Sequence, residues 1–219
     1  MIIVQLKGGL GNQLFQYAVA RHLAEKNKSP LKLDLTRFSA KDVQSHVFYA
    51  LHHFNICAGI AEKKEVAPFY ASNIFEKIMK KIKKLSGIIK TKGVYEKKRL
   101  VFDPELLNTP DNIFLCGYWQ TEKYFKDIED IIRQELSLKE TLTKKSEVLA
   151  RQIKTAKNTV SLHIRRGDYV TLNLALCSLD YYRECISILL NKLGSLNIFV
   201  FSDDPAWAKE NLPPPHTHN

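Results

Sequence analysis

The chain has 219 residues, 45% of them hydrophobic and 26% charged, the proportions of a globular protein able to bury a core in one large or two small domains. No apolar run approaches the roughly 18–20 residues of a membrane-spanning helix, and MIIVQLKGG lacks the pattern of a secretory signal, so a cytoplasmic location is expected. The net charge of +10 points to an anionic partner: nucleic acid, an acidic membrane surface or a phosphorylated substrate.

The first elements read as a β-α-β unit. Ile2–Leu6 is an apolar run suited to a buried strand, Gly8, Gly9 and Gly11 punctuate a turn, and Asn12 is placed to cap the helix that follows. Leu14, Phe15, Ala18, Val19, His22 and Leu23 recur at helical spacing, and Leu31–Leu35 reads as a second strand after the Ser29-Pro30 break. Residues 40–74 are rich in aromatics but weakly periodic. Over residues 75–90, an apolar stripe at 75, 78, 79, 82, 85, 88 and 89 is ringed by lysines, which predicts a basic amphipathic helix. Two readings of it stand: a helix packed on the core with a solvated lysine face, or a peripheral contact to the anionic inner face of a membrane.

Ile113–Cys116 is the next strand, followed by Gly117-Tyr118-Trp119-Gln120 and a helix over Phe125–Glu135. The polar, lysine-rich stretch 137–158 marks a domain boundary, drawn so that an N-terminal domain spans 1–150 and a C-terminal domain 151–219. In the second domain Thr159–Ile164 is a strand, Asp180 is placed to cap a helix to about Leu193, Asn197–Phe201 is a strand, and Pro205 opens a helix to Asn211. Two strands and two helices are few for a sheet to close over its own core, so this domain reads as truncated. Cys57, Cys116, Cys177 and Cys185 form no C-x-x-C pair and read as small buried hydrophobes, not as a disulfide or zinc site.

Three constellations carry candidate chemistry. The glycine turn Gly8-Gly9-Leu10-Gly11-Asn12-Gln13 lets backbone N–H groups approach an anion or a sugar. It matches a dinucleotide-binding turn at Gly9 and Gly11 but has Leu14 in place of the third glycine, with Asp34 near the expected position of a ribose-binding acid. In the run His163-Ile164-Arg165-Arg166-Gly167-Asp168-Tyr169, two arginines follow a strand directly. Adjacent side chains point to opposite faces, so one arginine can face the crevice above the strand ends while the other braces the loop. A guanidinium offers phosphate a bidentate fork that lysine lacks, and Asp168 can pair with an arginine, hold the turn or act as a base. Phe201-Ser202-Asp203-Asp204 ends the next strand, its carboxylates placed to meet a nucleotide base or a metal, for which two adjacent acids are a thin site, or to cap the helix opened by Pro205.

Taken together, GGLGNQLFQYA (8–18), GYWQTEKYF (117–125), HIRRGDYV (163–170) and FSDDPAW (201–207) resemble one family, the bacterial α-1,2-fucosyltransferases of glycosyltransferase family 11. The four matches span nearly the whole chain in the family's order, and the resemblance sets the dinucleotide reading aside. It implies an α/β, GT-B-like fold of two Rossmann-like domains, the N-terminal one mainly serving the acceptor and the C-terminal one binding GDP-fucose. Arg165 inherits the grip on the donor diphosphate, with Arg166 and Ser202 beside it; His163 and Asp203 or Asp204 inherit contacts to the guanine. Gly9, Gly11, Asn12 and Gln13 fall near the transferred sugar.

The implied reaction moves L-fucose, with inversion, to the 2-hydroxyl of a galactoside-containing glycan. It needs no metal or other cofactor, and Asp168 is the candidate base. Members of the family usually continue past the point where this sequence stops, so an inactive remnant that binds nucleotide or a partner is the alternative. No nucleic-acid partner is expected, because the lysines gather on one helix and no nucleic-acid motif appears.

Overall fold

A computed structural model of the chain describes residues 1–38, 48–70, 91–171, 173 and 176–212. The amphipathic helix expected over 75–90 lies outside the described residues. The chain divides into two units, Met1–Thr141 and Leu142–Asn219. The division expected at 150 falls inside a helix, Lys144–Thr155.

The N-terminal unit is built on a parallel sheet of β1 (Ile2–Gln5), β2 (Leu31–Asp34), β3 (Gly59–Ile60), β4 (Lys92–Tyr95) and β5 (Ile113–Cys116), in the order β3-β2-β1-β5-β4. β1 lies at the centre, with Ile2 opposite Leu31 on one side and Ile113 on the other. All four of its residues are buried, which is why it reads as a continuous apolar run and not as an alternation. The alternation shows in what each face packs against. Ile2, Val4 and Leu6 join Tyr17, Val19 and Leu23 of α1 (Leu10–Asn27), whereas Ile3 and Phe114 meet Val66 on the opposite face. Phe69 stacks on Phe114 at 4.1 Å between ring centroids. Each such side chain contributes roughly 1.5–3 kcal/mol by leaving water.

Asn12 does not cap α1. The glycine turn lets the helix begin at Leu10 with Gly9 as its cap residue, so Asn12 is already within the first turn and its side chain accepts a hydrogen bond from Gln120. The helix expected from Phe125 is shorter: two single turns, Glu122–Tyr124 and Lys126–Ile128, precede α3 (Glu129–Glu135), which follows the small α2 (Lys63–Val66).

The C-terminal unit consists of α4 (Lys144–Thr155), β6 (Thr159–Ile164), α5 (Gly167–Thr171), α6 (Leu179–Leu193), β7 (Asn197–Ser202) and α7 (Pro205–Asn211). β6 and β7 pair in parallel, from Thr159 opposite Asn197 to Ile164 opposite Ser202. Leu162, Ile164, Tyr182 and Ala208 form a small core. Ser178, not Asp180, caps α6, its hydroxyl accepting the Tyr181 N–H; Asp180 instead pairs with Arg183 one turn on. Val200 and Phe201 of β7 remain 44% and 41% exposed beside an open cavity of about 910 Å³.

The cysteines depart from expectation. Cys57 and Cys177 are exposed and Cys116 and Cys185 half-buried, not the fully buried positions expected, and all four are unbridged. None of the described helices is long and apolar enough to cross a membrane.

Candidate functional site

The C-terminal ends of β6 and β7 bring the two charged runs of the second unit together. Register sets this up: Ile164 lies opposite Ser202, so Arg165 and Arg166 emerge beside Asp203 and Asp204. Backbone and side chain then knit the ends into one surface. The Ser202 hydroxyl donates to the Ile164 carbonyl at 2.9 Å and accepts the Asp204 N–H at 2.9 Å, while Asp203 accepts the Arg166 N–H at 2.7 Å.

The two arginines have different surroundings. Arg165 is half exposed; its Nη2 and Nε donate to Asp168 Oδ1 at 2.7 and 3.0 Å, and its Nε lies 3.3 Å from Asp203 Oδ2. The Tyr169 ring lies 5.4 Å from its guanidinium carbon. Arg166 is more deeply placed. Its guanidinium lies 3.8 Å from the Trp207 ring centroid and its Nε donates to Asp204 Oδ2 at 3.2 Å. Asp204 in turn caps α7 by accepting the Trp207 N–H, so Arg166, Asp204 and Trp207 form one closed brace.

Gly167 is required where the chain passes over Asp203: a Cβ there would stand 2.9 Å from Asp203 Oδ2. Burial raises the Asp203 carboxyl, but the N–H groups of Arg166 and Gly167 and the charge of Arg165 outweigh it and hold the group below the usual range. Asp203 is therefore an anion at neutral pH. It also lines the 910 Å³ cavity, together with His163, Phe201 and Ser202. Leu190, Ile198, Val200 and Leu212 add apolar surface to its lining. His163 presents an exposed side chain on the rim, its carbonyl accepting from the Tyr182 hydroxyl.

The glycine turn lies in the N-terminal unit, at the end of β1. Gly8 has φ 77°, in the left-handed region, and Gly9 and Gly11 have open space where a side chain would be. Gln13 is wholly buried: its amide nitrogen donates to the carbonyls of Gly8 and Phe48, and its oxygen accepts the Ala50 N–H. These bonds use both of its N–H donors and pin the turn. Gln16 binds both backbone groups of Lys7 and the Gly117 carbonyl, joining the ends of β1 and β5. Asp34 is likewise buried, accepting from the Thr36 hydroxyl and amide and from the Tyr70 hydroxyl, an arrangement that leaves it unavailable to a ribose.

The sequence did not single out Tyr169 or the role of Trp207. The second was legible in principle, because the spacing from Asp204 to Trp207 is that of a cap to the third helical residue.

The sequence matches the model of glycosyl transferase family 11 over residues 1–218. It is 34% identical to an alpha-1,2-colitosyltransferase of Escherichia coli, over 96% of this chain and 71% of that protein. It is 31% identical to the O-antigen biosynthesis glycosyltransferase WbnK of Escherichia coli, over 94% and 74%. Among solved structures it is similar to the fucosyltransferase NodZ from Bradyrhizobium, with a TM-score of 0.48 and 14% identity over 95% of this chain and 74% of that one.

Proposed function

The chain belongs to glycosyl transferase family 11, and we propose that within it this protein transfers L-fucose from GDP-fucose to the 2-hydroxyl of a galactoside, with inversion. The observation that carries this reading is Arg165: a guanidinium at the end of a parallel strand, half exposed, and held by counter-ions that a more highly charged ligand can displace. A relative named for alpha-1,2 transfer supports the linkage.

GDP leaves the anomeric carbon as a diphosphate with growing negative charge. A preorganised cation aimed at that charge lowers the barrier, and a diphosphate offers the Arg165 fork more charge than Asp168 and Asp203 do. Arg165 takes this part, and the reaction proceeds without a metal. Arg166 is assigned to the brace with Asp204 and Trp207, so it acts on the donor by fixing the strand ends. For the guanine, Asp203 is favoured over Asp204, because Asp203 lines the cavity beside His163 and Ser202. Asp168 orients Arg165 through Oδ1; its Oδ2 makes no hydrogen bond among the described residues and is assigned to take the acceptor proton. The two units are read as the halves of a GT-B enzyme, the N-terminal one serving the acceptor.

Isothermal titration with GDP, followed by assay of GDP release from GDP-fucose with lactose, tests the proposal. Micromolar GDP binding and a product fucosylated on the galactose 2-hydroxyl are expected. GDP-colitose is run in parallel, since one relative is named for that sugar. Absence of GDP binding overturns the donor site; binding without transfer to any acceptor identifies a non-catalytic nucleotide binder.

A further inference from the structure

A second charged cluster lies in the N-terminal unit, outside the site just described. β1 and β5 are parallel neighbours at the centre of the sheet, and in open parallel sheets ligands bind beyond the carboxyl ends of the strands. Lys7 follows β1, Tyr118 follows β5, and Arg99 lies in the segment after β4. Lys7 Nζ stands 4.7 Å, and the Arg99 guanidinium carbon 4.9 Å, from the centroid of the Tyr118 ring.

The turn that presents Tyr118 is fixed from below. Glu96 accepts the N–H groups of Tyr118 and Trp119 at 2.9 and 3.1 Å. Trp119 is buried in the left-handed region at φ 47°, an unfavourable conformation for a bulky residue, and this clamp holds it there. A Cβ on Gly117 would stand 2.5 Å from that of Glu96, so the approach needs glycine.

The charge around this ring is unbalanced. Among the described residues neither Lys7 nor Arg99 has a carboxylate partner, and the Glu96 carboxylate is taken by the two amides. Lys97 shows the contrast, paired with both Asp103 and Glu105. The non-backbone contact of Lys7, apart from the ring, is a weak one to Cys116 Sγ at 3.8 Å. The ring attracts both cations without using their N–H donors, and apart from the one Lys7 directs at Cys116 they have no partner among the described residues. An anion beside the ring meets two cations that no carboxylate pairs directly, against the single charge of Glu96.

We propose that Lys7 and Arg99, positioned by Tyr118, form a subsite for an anionic group, carboxylate or phosphate, on the acceptor glycan. The inference rests on the glycosyltransferase reading and deepens it: the preferred acceptor is an acidic galactoside and not a neutral one.

The test is isothermal titration of the full chain with three matched galactosides: lactose, lactobionate (carboxylate) and lactose 1-phosphate. At low salt the better anionic ligand binds at least about 10-fold more tightly than lactose, the discrimination that about 1.4 kcal/mol of charge-assisted contact supplies. Preference for lactose 1-phosphate assigns a phosphate and preference for lactobionate a carboxylate. The preference collapses to within about twofold at high salt and in a K7M/R99Q double variant, while K7R retains it. Lactose binding, unchanged in the same variant, shows that its N-terminal unit is folded. Equal affinity for the three ligands, binding of none of them, or a preference that survives loss of both cations overturns the proposal. Loss of GDP binding in the unaltered chain would instead count against the donor site.

Discussion

Replacing Arg165 separates a catalytic part from a structural one, because the structure gives the two very different sizes. The Arg165 and Asp168 side chains are 48% and 51% exposed, so their ion pair stands largely in water despite the 2.7 Å contact. Exposed pairs contribute about 1 kcal/mol or less, and Asp203 at 3.3 Å adds a second weak contact. Arg165→Ala should therefore lower stability by no more than about 1 kcal/mol, a shift in Tm of a few degrees. Loss of a donor aimed at the leaving diphosphate costs far more, about 100-fold in turnover or roughly 3 kcal/mol. Arg165→Lys keeps the charge but not the fork, so it should fall between wild type and alanine. GDP release from GDP-fucose with lactose, GDP titration and a thermal melt on the same preparations measure all three quantities. Near-normal turnover in Arg165→Ala would refute the assignment, as would a loss of activity that merely follows a large fall in Tm.

Arg166→Ala should show the opposite profile, because its guanidinium is 22% exposed, 3.8 Å from the Trp207 ring and bonded to Asp204. A stability loss of about 1–2 kcal/mol is expected in urea unfolding, with the residual folded protein still binding GDP; unchanged stability with GDP binding abolished would reverse the two arginines' roles. His22 gives a pH signature. Its Nδ1 is buried without a hydrogen-bond partner among the described residues, and burial lowers its pKa from the ordinary 6.5 in the folded state. The unfolded chain therefore binds the proton more readily: the stability tied to neutral His22 is complete above about pH 6.5 and declines as pH falls below it. Urea midpoints at pH 7.5 and pH 5 should differ less in His22→Leu than in the unaltered chain, and an equal difference in both would exclude this account.

What the sequence disclosed of the fold follows how each segment is buried. β1, β5 and β6 are legible because burial on both faces or alternate burial imposes an apolar pattern, and Thr159–Ile164 has the bounds its residues suggest. β3 and β4 escaped. Gly59–Ile60 is two residues long, and Lys92–Tyr95 combines two exposed ends with a glycine, so neither carries a periodic signal; both are fixed by pairing with strands already in place. Caps were misplaced by two or three residues where two candidates competed. Asn12 and Asp180 are good cap residues, but Gly9 and Ser178 precede them, and the helix starts at the first position whose backbone can turn.

The site was legible as far as chemistry can be read from residue order, and it became ambiguous where register decides. Two arginines followed by Gly-Asp say that one guanidinium faces outward, without saying which. The answer depends on β7: Ser202 opposite Ile164 places Asp204 and Trp207 where they capture Arg166, and that leaves Arg165 to Asp168 and to solvent. The same register separates the two acids, directing Asp203 to the backbone of Arg166 and the cavity rim, and Asp204 to the helix cap. Asp168 had three open roles in the sequence. Its place in α5, three residues after Arg165, makes it first the arginine's counter-ion, and any proton it accepts must go to the oxygen that the pair leaves free.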